Sequence, residues 1–132
     1  MLGYVTVGVS DIKKARTFWV GVLESLSAEV LMDLGRIVYI GPGPGQPMFG
    51  ICEPYDGGAP TPGNGVMLGF NAGSRVLVDS LYAKALSLGA TDEGPPGPRF
   101  PEIDGKVVEG IDFYGGYIRD LDGNKAVFYE LA

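Results

Sequence analysis

The order of predicted secondary structure repeats once along the chain, and this repeat limits the folds that the chain can adopt. YVTVGVSD alternates its side chains as a half-buried strand does, and DIKKARTFWVGVL follows with apolar residues at helical spacing. Three short strand candidates come next, AEVLMDL, RIVYIG and MFGICE. After the Pro- and Gly-rich segment YDGGAPTPGNG, the same order starts again with the strand VMLGFNA and the helix SRVLVDSLYAKALSLGA. We therefore predict two βαβββ modules, at about residues 3–55 and 65–132.

Residues at the ends of these segments support the division. Ser10 or Asp11 is expected to cap the first helix, Ser74 to cap the second, and Gly89 to stop it. GPGPGQP lacks the Lys-Ser/Thr of a phosphate loop and predicts a hairpin loop. EGPPGPRFPE is predicted to be a loop, because proline is excluded from central strands. KVVEGIDFYGGYIRD and KAVFYELA supply the remaining strands.

The repeat predicts an α+β fold in which the helices cover only one face of the sheet. We expect a single domain, residues 1–132, whose two modules form a curved, cup-like mixed sheet with the helices on the outer face. The uncovered face of such a sheet is concave and lined by mixed side chains. A concave surface of this kind is a candidate ligand site.

Composition excludes several classes of protein. The net charge of −6 argues against nucleic-acid binding, although it is compatible with a cationic ligand. No apolar run approaches the roughly 18 residues of a membrane span, and nothing at the N-terminus resembles a signal peptide. One cysteine, Cys52, cannot form an internal disulfide, so we expect a cytoplasmic protein. The absence of histidine rules out Ser-His-Asp and Cys-His catalysis and removes the commonest metal ligand.

The chain resembles the vicinal oxygen chelate superfamily, which includes glyoxalase I, extradiol dioxygenases, fosfomycin-resistance transferases and bleomycin-resistance proteins. The segments that carry the resemblance are YVTVGVSDIKKARTFWVGVL near the start, GNGVMLGFNA in the middle and YGGYIRDLDGNKAVFYE near the end. The resemblance, including the repeat of elements, covers nearly the whole chain. The resemblance implies a homodimer, with ligand cups at or near the dimer interface.

Metal-dependent members of that superfamily hold their ion with side chains from three strands. By the resemblance, the first ligand position is Tyr4, seven residues before Asp11, and the second is Met67. The third is Val127, four residues after the turn glycine Gly123. A tyrosine with a pKa of ~10 is a poor ligand for a divalent ion, methionine is a weak soft donor, and valine is no donor. We therefore expect a protein with no metal and no cofactor.

Strand alternation extends these three positions to a larger candidate pocket. Thr6 shares a face with Tyr4, and Tyr129 shares one with Val127. In the fosfomycin-type branch, a tyrosine at the position of Tyr117 lines the site. The full candidate set is Tyr4, Thr6, Phe49, Met67, Tyr117, Arg119, Val127 and Tyr129.

Each candidate also has a purely structural interpretation. The tyrosines can be strand aromatics with hydroxyls at a wet edge, and Met67 can be a core residue. Arg119 can form an ion pair with Asp112, Asp120 or Asp122 instead of clamping a ligand. The last two aspartates can simply serve the turn before Gly123. Trp19 is expected to pack against the sheet or a partner subunit.

Three functions remain open at this point. The first, which we expect, is a metal-independent small-molecule-binding protein with an apolar-aromatic cup that sequesters a drug or metabolite, as metal-free bleomycin-resistance-type members bind a cationic antibiotic. The second is an enzyme of the same superfamily, a lyase, isomerase or dioxygenase, with unusual metal ligands or with Tyr4 or Tyr117 as acid or base. The third is a structural or regulatory subunit that only dimerises, and it predicts a cup filled by its own side chains.

Overall fold

The computed structural model describes every residue from 1 to 132. The elements of the first half are β1 (Tyr4–Gly8), α1 (Ile12–Leu23), a 3-10 turn (Glu24–Leu26), β2 (Glu29–Asp33), β3 (Ile37–Gly41) and β4 (Met48–Cys52). Its strands form one sheet in the order β1-β4-β3-β2, with β1 parallel to β4 and the other neighbours antiparallel. The GPGPGQP segment joins β3 to the antiparallel β4, which confirms the predicted hairpin loop.

The second half repeats this arrangement and adds a small hairpin. Its elements are β5 (Leu68–Asn71), α2 (Arg75–Ser87), β6 (Thr91–Arg99), β7 (Glu102–Ile103), β8 (Lys106–Val107), β9 (Phe113–Arg119) and β10 (Lys125–Leu131). The main sheet has the order β5-β10-β9-β6, with β5 parallel to β10. The strands β7 and β8 pair only with each other.

Side-chain caps and a glycine set the helix ends where the sequence predicts them. Asp11, and not Ser10, caps α1, because its Oδ1 accepts hydrogen bonds from two backbone N–H groups of the first turn at 3.0 and 3.1 Å. Ser74 Oγ accepts a hydrogen bond from the Leu77 N–H at 3.2 Å at the start of α2. Gly89, just beyond α2, has a φ of +108°, a conformation that favours glycine.

One apolar core joins the two halves. Trp19 of α1 has no exposed surface and packs edge-on against Phe49 of β4, with ring centroids 4.9 Å apart. Its ring also lies 5.5 Å from that of Phe70 in β5, and Phe49 and Phe70 are themselves 5.5 Å apart. Because an aromatic side chain buries roughly 150–250 Å², these three rings are a major contact between the halves. Trp19 therefore packs within its own chain.

The prediction of a loop at residues 93–102 is wrong for most of its length. Residues up to Arg99 belong to β6, although the segment contains Pro95, Pro96 and Pro98. The strand lies at the edge of its sheet, where one side needs no backbone donors, and its pairing with β9 shifts register twice between Asp92 and Gly97. The expectation that prolines exclude a central strand therefore holds, but an edge strand accommodates them.

Each helix packs on one face of its own sheet and leaves the opposite face, which we call the open face, uncovered. The two four-stranded sheets are not hydrogen-bonded to each other, and β1 and β5 are edge strands. The predicted α+β class, with open sheets and helices on the outer faces, is confirmed. Neither helix is long and apolar enough to cross a bilayer.

Candidate functional site

A cleft of about 620 Å³ lies between the edge strands of the two halves. Tyr4 and Val5 of β1 line it, and residues 67–71 line it from the other half. The end of α1 and the adjoining ends of β3 and β4, with Pro42 and Pro47 of their loop, complete its walls with mainly apolar groups. No lining residue carries a charge, and Asn71 and Tyr4 supply the polar side chains. The cleft is therefore suited to an apolar guest with few hydrogen-bonding groups.

On the first sheet, the predicted residues point to opposite faces. Thr6 lies on the open face, where its methyl group and the Tyr39 ring pack over Gly50; a Cβ atom at Gly50 would lie 2.8 and 2.9 Å from them. The Tyr4 ring packs edge-on against Tyr39 on the same face, with centroids 5.3 Å apart. Phe49 instead points into the core and reaches the cleft from below.

On the second sheet, two stacked rings cover Val127. The rings of Phe113 and Tyr129 lie 5.4 Å apart and nearly parallel on the open face. They occupy the space that side chains at Gly115 and Gly69 would fill, since a Cβ atom at Gly115 would lie 2.7 Å from the Phe113 ring and one at Gly69 would lie 3.3 Å from the Tyr129 ring. Val127 is thereby almost completely buried and does not line the cleft.

Two cationic side chains lie against the ring of Tyr117 on the same open face. The Arg99 guanidinium lies 5.3 Å from the centre of the Tyr117 ring, and the Lys125 ammonium lies 5.6 Å from it. We call Arg99, Tyr117 and Lys125 the Tyr117 cation cluster. Such contacts between a cation and an aromatic face are favourable, typically by ~0.5–1 kcal/mol at exposed sites.

The ion-pair partner of Arg119 differs from each predicted aspartate. Its Nε donates to Glu93 Oε1 at 2.7 Å, and its Nη1 donates to the Gly123 carbonyl at 3.0 Å. The predicted pairing with Asp112, Asp120 or Asp122 is therefore wrong. Glu93 lies in the segment that the prolines had marked as a loop, so its place beside β9 could not be anticipated.

The eight predicted pocket residues thus fall into separate groups. Tyr4, Phe49 and Met67 surround the cleft, and Thr6 lies on the open face of the first sheet. The remaining four lie on β9 and β10, on the open face of the second sheet: Tyr117, Arg119, Val127 and Tyr129. The cleft is lined by Tyr4 and Met67 but not by Val127.

The conspicuous Asp-x-Asp-Gly-Asn turn has a structural role. Asp120 Oδ1 accepts hydrogen bonds from the backbone N–H groups of Asp122 at 2.9 Å and Asn124 at 2.8 Å. Asp122 Oδ1 accepts the Ser10 N–H at 2.9 Å, and Asn124 Nδ2 donates to the Gly8 carbonyl at 2.9 Å. The turn of the second half is thereby attached to the start of the first, and its carboxylates are engaged there.

The titratable groups with shifted pKa values lie away from the cleft. Burial, and then a 2.7 Å hydrogen bond to Asp92, raises the pKa of Tyr82, and the same hydrogen bond lowers the pKa of Asp92. A hydrogen bond to Asp79 raises the pKa of Tyr114. Both pairs connect α2 to the second sheet, and neither lines the cleft. They stabilise structure and offer no acid or base to a ligand in the cleft.

Solved structures share this architecture. A glyoxalase/bleomycin resistance protein from Albidiferax ferrireducens T118 is 33% identical over 98% of each chain, with a TM-score of 0.84. The chain belongs to the glyoxalase/bleomycin resistance family. A glyoxalase/bleomycin resistance protein/dioxygenase family enzyme from Burkholderia phytofirmans PsJN is 16% identical over 98% of each chain, with a TM-score of 0.71. A glyoxalase-related enzyme from Fulvimarina pelagi is 15% identical over 98% of this chain and 87% of its own, also with a TM-score of 0.71, so these last two show the fold alone. No protein-family model matches the sequence, and no curated protein matches it.

The residues present do not fit the metal that the resemblance implies for metal-dependent members of the superfamily. Nowhere do three or more His, Cys, Asp or Glu side chains converge as a metal site requires. At the three positions given by the resemblance, Tyr4 offers one phenol and Met67 one thioether, while Val127 offers no donor and is buried beneath aromatic rings.

Sequence reasoning missed two kinds of residue in this family member. The first is the apolar lining that α1 and its following turn contribute, such as Leu23 and Leu26. From the sequence these residues are predicted only to be part of the core, because the spacing of apolar residues does not reveal which end of a helix borders a cavity. The second is the pair Arg99 and Lys125. Lys125 is two residues before Val127 on β10, so strand alternation could have placed it on the same face. Arg99 could not be placed in this way, because its segment was predicted to be a loop.

Proposed function

We propose that this protein is a metal-independent small-molecule-binding protein whose ligand enters the cleft between β1 and β5. The observation that carries the proposal is the cleft itself, about 620 Å³ of space with mainly apolar walls and no charged lining residue. That volume lies within the range of ~300–1,000 Å³ typical of small-molecule sites. An apolar guest there gains the burial of its surface, roughly 25 cal/mol per Å².

The polar groups of the cleft support binding rather than catalysis. Tyr4 is 57% exposed, and Asn71 Oδ1 already accepts the Gly73 N–H at 3.0 Å. No acidic or basic side chain lines the cleft with them to move a proton. The alternative of a purely structural subunit predicts a filled cup, whereas this cleft is open to a ligand.

We further propose that two chains associate, in a reducing cytoplasm. Exposed apolar side chains follow the free edge of β1, including Leu2 and Val5, and Met67 lies exposed at the start of β5. Clustered apolar exposure at unpaired strand edges favours association. Light scattering after size-exclusion chromatography tests this expectation, and a monomer at high concentration contradicts it.

The binding proposal is tested with N-phenylnaphthylamine, a neutral apolar fluorophore whose emission rises on burial. We expect saturable binding to the protein and weaker binding to Met67→Lys, because the new ammonium would lose hydration when the ligand covers it. Met32→Lys is the matched control, since Met32 is 45% exposed, Met67 is 48% exposed, and only Met67 lines the cleft.

Two results would overturn the proposal. The first is equal affinity of the probe for the protein and for Met67→Lys, which places binding elsewhere. The second is stoichiometric, tightly held zinc, iron, manganese or nickel in protein purified without chelators, which favours the enzyme alternative. A screen by thermal shift then identifies natural ligands, since a ligand at one hundred times its Kd adds ~2.7 kcal/mol of stability.

A further inference from the structure

The Tyr117 cation cluster places two positive charges that lack an ion-pair partner on one face of a protein whose net charge is −6. None of the ion pairs in the structure includes Arg99 or Lys125. Arg99 donates only to the carbonyl groups of Pro95, at 2.6 Å, and Pro98, at 3.3 Å. With acidic residues outnumbering basic ones, unpaired cations around a single ring indicate a place for an external anion.

The backbone beside the cluster leaves room for the Arg99 side chain. A Cβ atom at Gly94 would lie 3.3 Å from Arg99 Nη2 and 3.4 Å from the Tyr117 ring, and one at Gly97 would lie 3.2 Å from Arg99 Nη1. The guanidinium therefore lies along two glycines of β6 and is directed at Tyr117. It is held by the strand and its carbonyl partners, so its orientation is set before any ligand arrives.

The cluster adjoins the cleft. β10 pairs in parallel with β5, with Ala126 opposite Leu68; Lys125 is the first residue of β10, and Met67 is the residue that precedes β5. Neighbouring strands lie ~4.8 Å apart. By strand alternation Lys125 faces the open side, and Met67, which immediately precedes β5, lines the cleft. A molecule in the cleft reaches Lys125 across one strand spacing and Tyr117 across roughly 10 Å, or two spacings.

We infer that the ligand is an organic anion, with an apolar body in the cleft and a carboxylate, sulfonate or phosphate group between Lys125 and Arg99. This inference rests on the proposed function and adds the chemical class of the ligand. Arg99 supplies planar donors that match an oxyanion, and Lys125 supplies a point charge; both cations lie against the Tyr117 ring. The positive charges of Lys125 and Arg99 would repel a cationic ligand, although the net charge of −6 is compatible with one.

The inference is tested with two probes that differ by one anionic group, anilinonaphthalene sulfonate and neutral N-phenylnaphthylamine. We expect the sulfonate to bind the wild-type protein more tightly. Lys125→Gln and Arg99→Gln should each weaken sulfonate binding about five- to tenfold, the range expected for a partly solvated charged hydrogen bond. Binding of the neutral probe should change by less than about twofold.

Two controls separate charge from folding. Lys84→Gln removes the same charge from the exposed side of α2 and should leave both probes unaffected. Lys125→Arg keeps the charge and should retain sulfonate binding, whereas Lys125→Met keeps an apolar stem without the charge and should weaken it. Thermal unfolding of each variant establishes that it is folded before titration.

The outcomes distinguish the two proposals. If the neutral probe binds and Lys125→Gln leaves sulfonate binding unchanged, the anion inference is overturned while the cleft proposal stands. If neither probe binds, both fail. Selective loss of sulfonate binding in the two cation variants, with Lys84→Gln unaffected, supports the inference.

Discussion

The indole N–H of Trp19 donates a hydrogen bond to Asp120 Oδ2 at 3.2 Å, joining two buried residues 101 positions apart. The same carboxylate oxygen accepts Asn124 Nδ2 at 3.0 Å, while the other oxygen binds two backbone N–H groups of the turn. A single carboxylate therefore accepts hydrogen bonds both from the only tryptophan of the chain, which lies in the first half, and from the turn that precedes β10 in the second half.

Asp120→Ala is expected to destabilise the protein strongly. The substitution leaves the Trp19 indole N–H and one of the two N–H groups of the Asn124 amide without an acceptor, and each unsatisfied buried donor costs ~1–3 kcal/mol. We expect a total loss of about 3 kcal/mol or more in the free energy of unfolding, measured by urea titration with Trp19 emission as the probe.

Asp56→Ala is the matched control for this substitution. Asp56 is exposed and accepts one backbone hydrogen bond, from Gly58 at 2.8 Å. Its removal should change the free energy of unfolding by less than about 0.5 kcal/mol. Equal losses of unfolding free energy in the two variants would contradict a stabilising role of the buried hydrogen bonds around Asp120.

Gly115→Ala is expected to disturb the open face of the second sheet. The added methyl group would lie 2.7 Å from the Phe113 ring, so the ring must leave its stack on Tyr129. Overpacking of this kind typically costs ~1–3 kcal/mol. A crystal structure of the variant should show Phe113 displaced and Val127 more exposed. Gly43→Ala, with nothing within 4 Å of the new Cβ atom, should change neither structure nor stability.

Local patterns predict most of the elements because their signals are short-range. The alternation of Val7 and Val9 with Thr6 and Gly8, the cap at Asp11 and the glycine stop at Gly89 each depend on a few neighbouring residues, and the structure confirms the elements they mark. β6 was missed since its pairing with β9 is non-local, and an edge position removes the penalty that proline carries elsewhere.

The site was less predictable than the fold because it depends on how the halves meet. Strand alternation correctly groups Tyr117 with Arg119 and Val127 with Tyr129, but it contains no information on whether Tyr4 approaches Val127. The resemblance selects equivalent strand positions, whereas the cleft is lined partly by Leu23, at the end of a helix. Long-range packing, which no single segment encodes, decides these contacts.

The hydrogen bond between Tyr82 and Asp92 should make stability depend on pH at both extremes. The pKa of Asp92 is lowered from 3.8, first by the Tyr82 hydroxyl and then by the Gly94 N–H, so its contribution is present above that pH and lost as pH falls through the folded-state pKa. The pKa of Tyr82 is raised from 10.0, so its contribution is present below that pH and lost as pH rises through the folded-state value.

Tyr82→Phe tests this linkage. The stability difference between the protein and the variant should be constant from about pH 5 to 9 and should shrink above pH 10. NMR titration of the Asp92 carboxyl group should show its pKa rising toward 3.8 in the variant, with the remaining depression due to Gly94. An Asp92 pKa that is identical in both proteins would contradict the assigned hydrogen bond.

Phe70→Ala is expected to weaken the contact between the halves and enlarge the cleft at the same time. Phe70 packs on Trp19, Phe49 and Phe128, with ring centroids 5.5 to 6.0 Å apart, and it also lines the cleft. Truncating a packed phenylalanine costs ~3–5 kcal/mol, and partial exposure places this one near the lower end. Urea unfolding should show this loss, and native Trp19 emission should move to longer wavelength as water reaches the indole. Phe100→Ala, at a residue 66% exposed, should leave both measurements unchanged, and an equally small effect at Phe70 would contradict a shared aromatic core.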